Sequence, residues 1–333
     1  MNARVQPSDV LTGRRLPFEC VALVLQGGGA LGAYQAGVYA ALAEADIRPD
    51  WVAGISIGAI NAAIIAGNPP DQRVAQLRAF WEGITANPLA DWAIASDALL
   101  PKGHLARSLV SQLSAISATL TGAAGFFVPR QLHPWLSPAG TLEATSFYDT
   151  KLLKATLERL VDFDRINAGE TRFSVGAVNI RTGNFVYFDN TTHLIRPEHV
   201  MASGALPPGF PPVEIDGEFY WDGGLISNTP LQWVVESGPR QDTLAFQVDL
   251  WSALGEVPRN LAEVASRQKD IQYSSRTRAN TDQFKRAQRL RAALGSLLAY
   301  STASDRLFQQ HPTGCSTGIR PVGGGGLRQD LHR

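Results

Sequence analysis

The spacing of apolar positions changes several times within the first seventy residues. Val21 to Leu25 is an unbroken apolar run closed by glycine, which predicts a short strand buried on both faces, the kind found in parallel sheets. From Leu31 onward, Tyr34, Val38, Leu42 and Ala45 recur three and four residues apart, which predicts a helix with that one apolar face, ending before Pro49. Trp51 to Ile55 predicts a second strand. Ile57 to Ala66 predicts a second helix, stopped by the Gly-Asn-Pro-Pro that follows. Strand, helix, strand, helix in that order points to an α/β fold.

Further along, residues 71–84 have an amphipathic helical pattern and residues 146–163 another. Between them, residues 91–146 are irregular and apolar in pieces, with 105–120 helical by pattern. The segment reads either as a cap over a site or as an excursion packed on the body. Residues 172–180, 184–189, 218–222 and 243–251 read as strands. Residues 258–300 turn helical and arginine-rich, which fits a solvated face or a basic patch meeting anionic lipid head groups. The stretch 306–333, with four consecutive glycines and no periodicity, is expected to be disordered.

Composition narrows the classes. A chain of 333 residues with 44% hydrophobic content can bury a large core. Its 30 basic and 30 acidic side chains cancel, so the overall field offers nothing to a nucleic acid. Cys20 and Cys315 stand at opposite ends with no metal-like spacing, which fits a reducing compartment. The first twenty residues hold charges and prolines rather than a signal-length apolar block, and Val21 to Leu25 is too short to span a membrane. The expectation is a cytoplasmic protein able to touch a membrane peripherally.

Two glycine motifs carry the candidate chemistry. Gly27, Gly29 and Gly32 satisfy GxGxxG after a strand and before a helix, the context of a dinucleotide site. That reading also needs an acidic residue at the end of the second strand, where this chain has Gly54, Ile55 and Ser56. The same geometry presents backbone N–H groups at a helix start, which suits an oxyanion equally well. The expected oxyanion hole is Gly27, Gly28, Gly29 and Ala30. Gly54-Ile55-Ser56-Ile57-Gly58 fits the nucleophile elbow GxSxG between a strand and a helix, although a serine there also suits a helix N-cap.

A serine nucleophile needs a base. His104, His133, His193, His199, His311 and His332 stand in no strand-end or glycine-turn setting. Asp222 does: it closes a predicted strand and is followed at once by Gly223 and Gly224, though Asp-Gly also serves as a simple turn former.

The motifs GGGALG, GISIG and DGG in that order, with "ASGALPPGFPPVEIDG" at 202–217 and "NTPL" at 228–231, resemble the patatin-like phospholipase family over about residues 21–250. Residues 258–278 resemble an extension found in a bacterial subgroup of it. The resemblance implies a patatin-like α/β hydrolase fold, with a central, mostly parallel sheet and helices on both faces. It further implies a lipid acyl hydrolase with Ser56 as nucleophile, Asp222 as base, no histidine and no cofactor or metal. Phospholipid or another acyl ester would be the substrate. The implied layout is an arm at 1–20, a catalytic domain at 21–250, a helical extension at 251–305 and the tail at 306–333. Many relatives carry Arg or Lys where Leu31 stands, which bears on substrate preference. The chain end departs from the subgroup's pattern and reads as truncated or frame-altered. An esterase for short-chain or polyester substrates, and a catalytically silent lipid-binding scaffold, are the alternatives.

Overall fold

The computed structural model describes residues 17–85, 122–237 and 241–310, with side chains to residue 297. Strand β1 (Cys20–Leu25) leads through a 3-10 turn at Gly29–Gly32 into helix α1 (Ala33–Glu44). Strand β2 (Trp51–Gly54) is followed by α2 (Ile57–Ala66) and α3 (Arg73–Thr85). A two-stranded ladder, β3 (Val128–Pro129) with β4 (Tyr148–Asp149), precedes α4 (Lys151–Leu160) and α5 (Phe163–Asn167). Next come β5 (Arg172–Asn179), β6 (Phe185–Asp189), α6 (Pro197–Ser203), β7 (Val213–Ile215) and β8 (Glu218–Asp222). The chain continues through α7 (Leu231–Glu236), β9 (Thr243–Val248) and α8 (Leu261–Gln310).

Among the described residues, seven strands form the main sheet. Strands β5, β2, β1 and β9 are parallel neighbours, and β6, β8 and β7 join antiparallel at the β5 side. Every residue of β1 and β2, and all of β5 after Arg172, is buried, so both faces of the parallel part are covered. All ten residues of α2 are buried as well. A helix buried on every side lies in the centre of a core, and α2 packs there against β1, β2 and β5 and against α1 and α3.

The register around β5 decides where the site forms. Val175 pairs with Gly54 of β2 and with Phe188 of β6, while Ala177 pairs with Asp222 of β8 and with Val186 of β6. A strand has two edges and β6 occupies one of them at both positions. Strands β2 and β8 therefore lie along the other edge, running head-on toward each other and leaving a gap at Gly176.

Some expectations shift. Helix α1 forms where its spacing predicts, and Val38 and Leu42 of the expected face pack partly buried against the core, but Gln35 and Tyr39 are its buried residues, while Tyr34 is 65% exposed. Ala, Gly, Val, Leu and Tyr surround the whole helix, so spacing could not fix its rotation. Gln35 wins the inner face because its amide has partners there: Nε2 donates to Gln26 O and Oε1 accepts from Asn61. The helix expected at 146–163 begins only at Lys151, because Tyr148 and Asp149 are drawn into the ladder with β3. The helical pattern at 105–120 lies outside the described residues. The described end of the 91–146 segment packs on the body: the rings of Phe126 and Phe127 lie 5.8 and 5.3 Å from that of Phe210, and Phe127 lies 4.8 Å from Tyr148. Helix α8 continues through Gln310, five residues into the stretch expected to be disordered, and 311–333 lie outside the described residues. One compact unit extends through Asp282, and a second begins at Gln283.

Candidate active site

Ser56 sits between β2 and α2 with φ 56° and ψ −126°, a conformation that costs a non-glycine residue about 1–3 kcal/mol. Ser56 occupies the N-cap position of α2, but its side chain makes no capping hydrogen bond to the helix, so the hydroxyl is left for another role in a strained turn. From Trp51 to Asn68 it alone is not fully buried. The turn is tight because its glycines touch backbone. A Cβ on Gly54 would lie 2.2 Å from the Gly58 carbonyl oxygen, and one on Gly58 2.4 Å from the Leu25 carbonyl oxygen. Any other residue at either place would push strand and helix apart.

Asp222 enters from the opposite direction at the end of β8 and is 1% exposed. Its Oδ1 accepts the Gly224 N–H at 2.7 Å, and its N–H donates to Ala205 O at 3.0 Å. Burial pushes its carboxyl pKa up to about 7, against the opposing pull of hydrogen bonds from the Ser56 side chain and the Gly224 N–H. The head-on register thus brings the serine and the buried carboxyl within hydrogen-bonding reach. Gly223 is pressed against the same gap, since a Cβ there would lie 2.6 Å from Gly176 O.

The first glycine motif borders this pair. A Cβ on Gly27 would lie 2.9 Å from the Ser56 Cβ and 2.3 Å from Asn228 Oδ1. Gly27 departs from its expected role, because its N–H is already donated to Asn228 O at 3.0 Å; it forms a wall beside the serine. Gly28, Gly29 and Ala30 open the 3-10 turn, whose first internal bond runs from Leu31 N to Gly28 O, so their own N–H groups precede the helical ladder. Gly29 adopts φ +57° with nothing within 4 Å of its outer side, which leaves the loop open. Gly32 is a packing position: its outer side meets Ile57 and Trp81. Leu31 is 46% exposed.

No histidine described joins this arrangement. His133 and His193 are exposed, and His199 is buried beneath Phe188, where its Nδ1 accepts the Arg196 N–H and burial lowers its pKa to about 4. His104, His311 and His332 lie outside the described residues. Among the described residues no three of His, Cys, Asp and Glu come together as metal ligands would.

Three residues of the site carry no role in the motifs. Ser203, fully buried, fills the gap at Gly176: its hydroxyl accepts the Ser56 N–H at 3.1 Å and donates to Gly176 O at 2.7 Å. Asn228 closes the glycine loop, its Nδ2 donating to Gly27 O at 2.8 Å. Gln26 is wholly buried directly after β1. For Gln26 and Ser203 the available signal was a single polar residue set in an apolar or glycine-rich stretch, whereas Asn228 stands between Ser227 and Thr229 and had no such contrast.

Known proteins place the chain in a family. A model described as Patatin-like phospholipase matches residues 23–234, and a second, described as Patatin phospholipase, matches residues 271–316. An uncharacterized NTE family protein of Mycobacterium bovis is 38% identical over 95 residues, 28% of this chain and 16% of that protein. A lysophospholipase of Aspergillus terreus is 55% identical over 53 residues, 16% of this chain and 4% of that one. The chain spans less than a fifth of the length of these curated relatives. Among solved structures, VipD from Legionella pneumophila aligns with 75% of this chain and 52% of its own at 18% identity and a TM-score of 0.40. With the first family model covering well over half of its length, the chain belongs to the patatin-like phospholipase family.

Proposed function

We propose that the protein is a lipid acyl hydrolase that cleaves acyl esters through an acyl-enzyme, with Ser56 as nucleophile and Asp222 as base. The observation that carries this reading is the half-buried Ser56, strained and hydrogen-bonded to a buried carboxyl with a pKa near 7. An ordinary carboxylate is too weak a base for a serine hydroxyl. One raised to near neutrality by burial still ionises at working pH and accepts a proton far more readily.

In this mechanism Asp222 takes the hydroxyl proton as Ser56 Oγ attacks the acyl carbonyl. The N–H groups of Gly28 and Gly29, with Ala30 next to them, receive the charge on the tetrahedral oxygen. Each such donor is worth about 10²- to 10³-fold in rate. Collapse expels the alkoxide leaving group, which takes the proton from Asp222. Water then attacks the acyl-serine, with Asp222 again as base, and frees the fatty acid. The substrate class is phospholipid or another acyl lipid, as the lysophospholipase relative suggests. Among the described residues no helix is long and apolar enough to cross a membrane.

A fluorophosphonate probe on the purified protein tests the reading. Wild type should be labelled, Ser56→Ala should not, and Asp222→Asn should be labelled far more slowly. A folded wild type that takes no label would leave a lipid-binding scaffold as the better account.

A further inference from the structure

The glycine loop and the Asp222 turn are both tied to one helix far along the chain. Gln26, at the root of the loop, donates from Nε2 to Thr277 Oγ1 of α8 at 2.8 Å, and its Oε1 accepts the N–H groups of Leu250 and Trp251 at 2.5 and 3.2 Å. Thr277 Oγ1 also lies 2.8 Å from the hydroxyl of Thr229, the neighbour of the Asn228 that closes the loop. The Trp251 indole N–H donates to Gly27 O at 2.8 Å, and its ring lies 5.0 Å from that of Tyr273. Arg276 reaches the other side of the site, donating from Nη1 to Leu225 O at 2.7 Å and Ile226 O at 3.3 Å, directly after Gly223 and Gly224. Residues 273, 276 and 277 are three and four apart, hence on one helix face.

We infer that this face of α8 is a positioning part of the active site, with Thr277 fixing the glycine loop and Arg276 fixing the turn that follows Asp222. The inference rests on reading Ser56 and Asp222 as the catalytic pair. Its physical basis is that the loop's donors lie outside the sheet ladder and need another anchor. Thr277, 4% exposed, gives Gln26 Nε2 its hydrogen-bond acceptor. Valine in its place would leave that amide buried without one. A displacement of about 1 Å at a reacting centre costs roughly 100-fold in rate. The catalytic body would then extend past residue 250 into α8, within the compact unit that ends at Asp282.

Thr277→Val, Thr277→Ser, Arg276→Met and Arg276→Lys in the full chain test this. The readouts are kcat and KM on a p-nitrophenyl ester, thermal melting, and hydrogen exchange of the amides in residues 26–32 by mass spectrometry. Expected for folded Thr277→Val and Arg276→Met is a fall in kcat of about 10- to 100-fold with KM within about twofold. Exchange in the loop should be faster in Thr277→Val, and the serine and lysine variants should recover most of the rate. Unchanged kcat and unchanged exchange in folded variants would overturn the inference. So would losses that track melting temperature and are not recovered by the conservative variants. If wild type fails to react with a fluorophosphonate at Ser56, the catalytic pair itself is wrong, while the exchange comparison still decides whether α8 fixes the loop.

Discussion

The hydroxyl of Ser203 accepts the backbone N–H of Ser56 at 3.1 Å and donates its own hydrogen bond to Gly176 O at 2.7 Å, bridging the gap where β2 and β8 meet end to end. A sheet would normally satisfy both backbone groups from a neighbouring strand, and here one side chain does so. Ser203→Ala removes both bonds and leaves two buried polar groups unpaired, at about 1–3 kcal/mol each. We expect a lower melting temperature and at least tenfold slower fluorophosphonate labelling of Ser56. Labelling at the wild-type rate would show that the elbow holds its strained shape without Ser203.

The position of Asp222 sets the pH dependence. As a base it must be ionised, so log kcat/KM should rise with unit slope at acid pH and level off above about 7. A plateau beginning near pH 4 would mean that the carboxyl is not raised and that burial is overcome by its hydrogen bonds.

Stability should move the opposite way. The folded pKa is raised from 3.8 to about 7, so between those values the native state binds more protons than the unfolded chain. Native stability contributed by the protonated carboxyl is complete below about pH 4 and is lost as pH rises through about 7. Asp222→Asn carries no charge to bury. It should therefore be more stable than wild type at pH 8, by on the order of a few kcal/mol and with a higher melting temperature, the advantage vanishing near pH 4. Equal melting at both pH values would contradict the assignment of burial as the cause of the shift.

How much of this the chain displays before folding depends on the range of the interaction. The elbow, the glycine loop and Asp222 are local: each is a few consecutive residues whose spacing and glycines reflect immediate backbone contact. The α/β order is legible for the same reason, since continuous apolar runs and turn residues mark each element. What was not legible is long-range polar pairing. Gln26 meets Thr277 across 251 positions and Asn228 meets Gly27 across 201, and no periodicity encodes such partners. The rotation of α1 escaped as well, because a buried glutamine decides it.

That glutamine belongs to a chain of buried amides. Asn61 Nδ2 donates to Gln35 Oε1 at 2.8 Å and to Gly32 O at 3.0 Å, and Asn61 Oδ1 accepts the Trp81 indole N–H at 3.1 Å. Asn61→Leu, which keeps the branching of the side chain but is bulkier, would leave Trp81 and Gln35 without these partners and crowd a fully buried site. A loss of about 2–4 kcal/mol in denaturant unfolding is expected. A smaller loss would mean that the neighbours find replacement bonds.

Gly58 and Gly29 have opposite reasons for being glycine, and alanine at each should separate them. At Gly58 the obstacle is steric: the new Cβ would lie 2.4 Å from Leu25 O and 2.9 Å from Gln26 O, both backbone atoms that cannot swing aside. Strand β1 and helix α2 would have to part at the centre of the core, so Gly58→Ala should fail to fold or lose several kcal/mol. At Gly29 nothing lies within 4 Å, and the only cost is a left-handed φ of +57°, about 1–2 kcal/mol for alanine. Gly29→Ala should therefore fold with a modest loss in melting temperature. Its labelling rate then isolates how far the loop's backbone geometry matters to Ser56, since no packing changes with it. If Gly29→Ala unfolded while Gly58→Ala remained stable, the placement of the two glycines about the serine would be wrong.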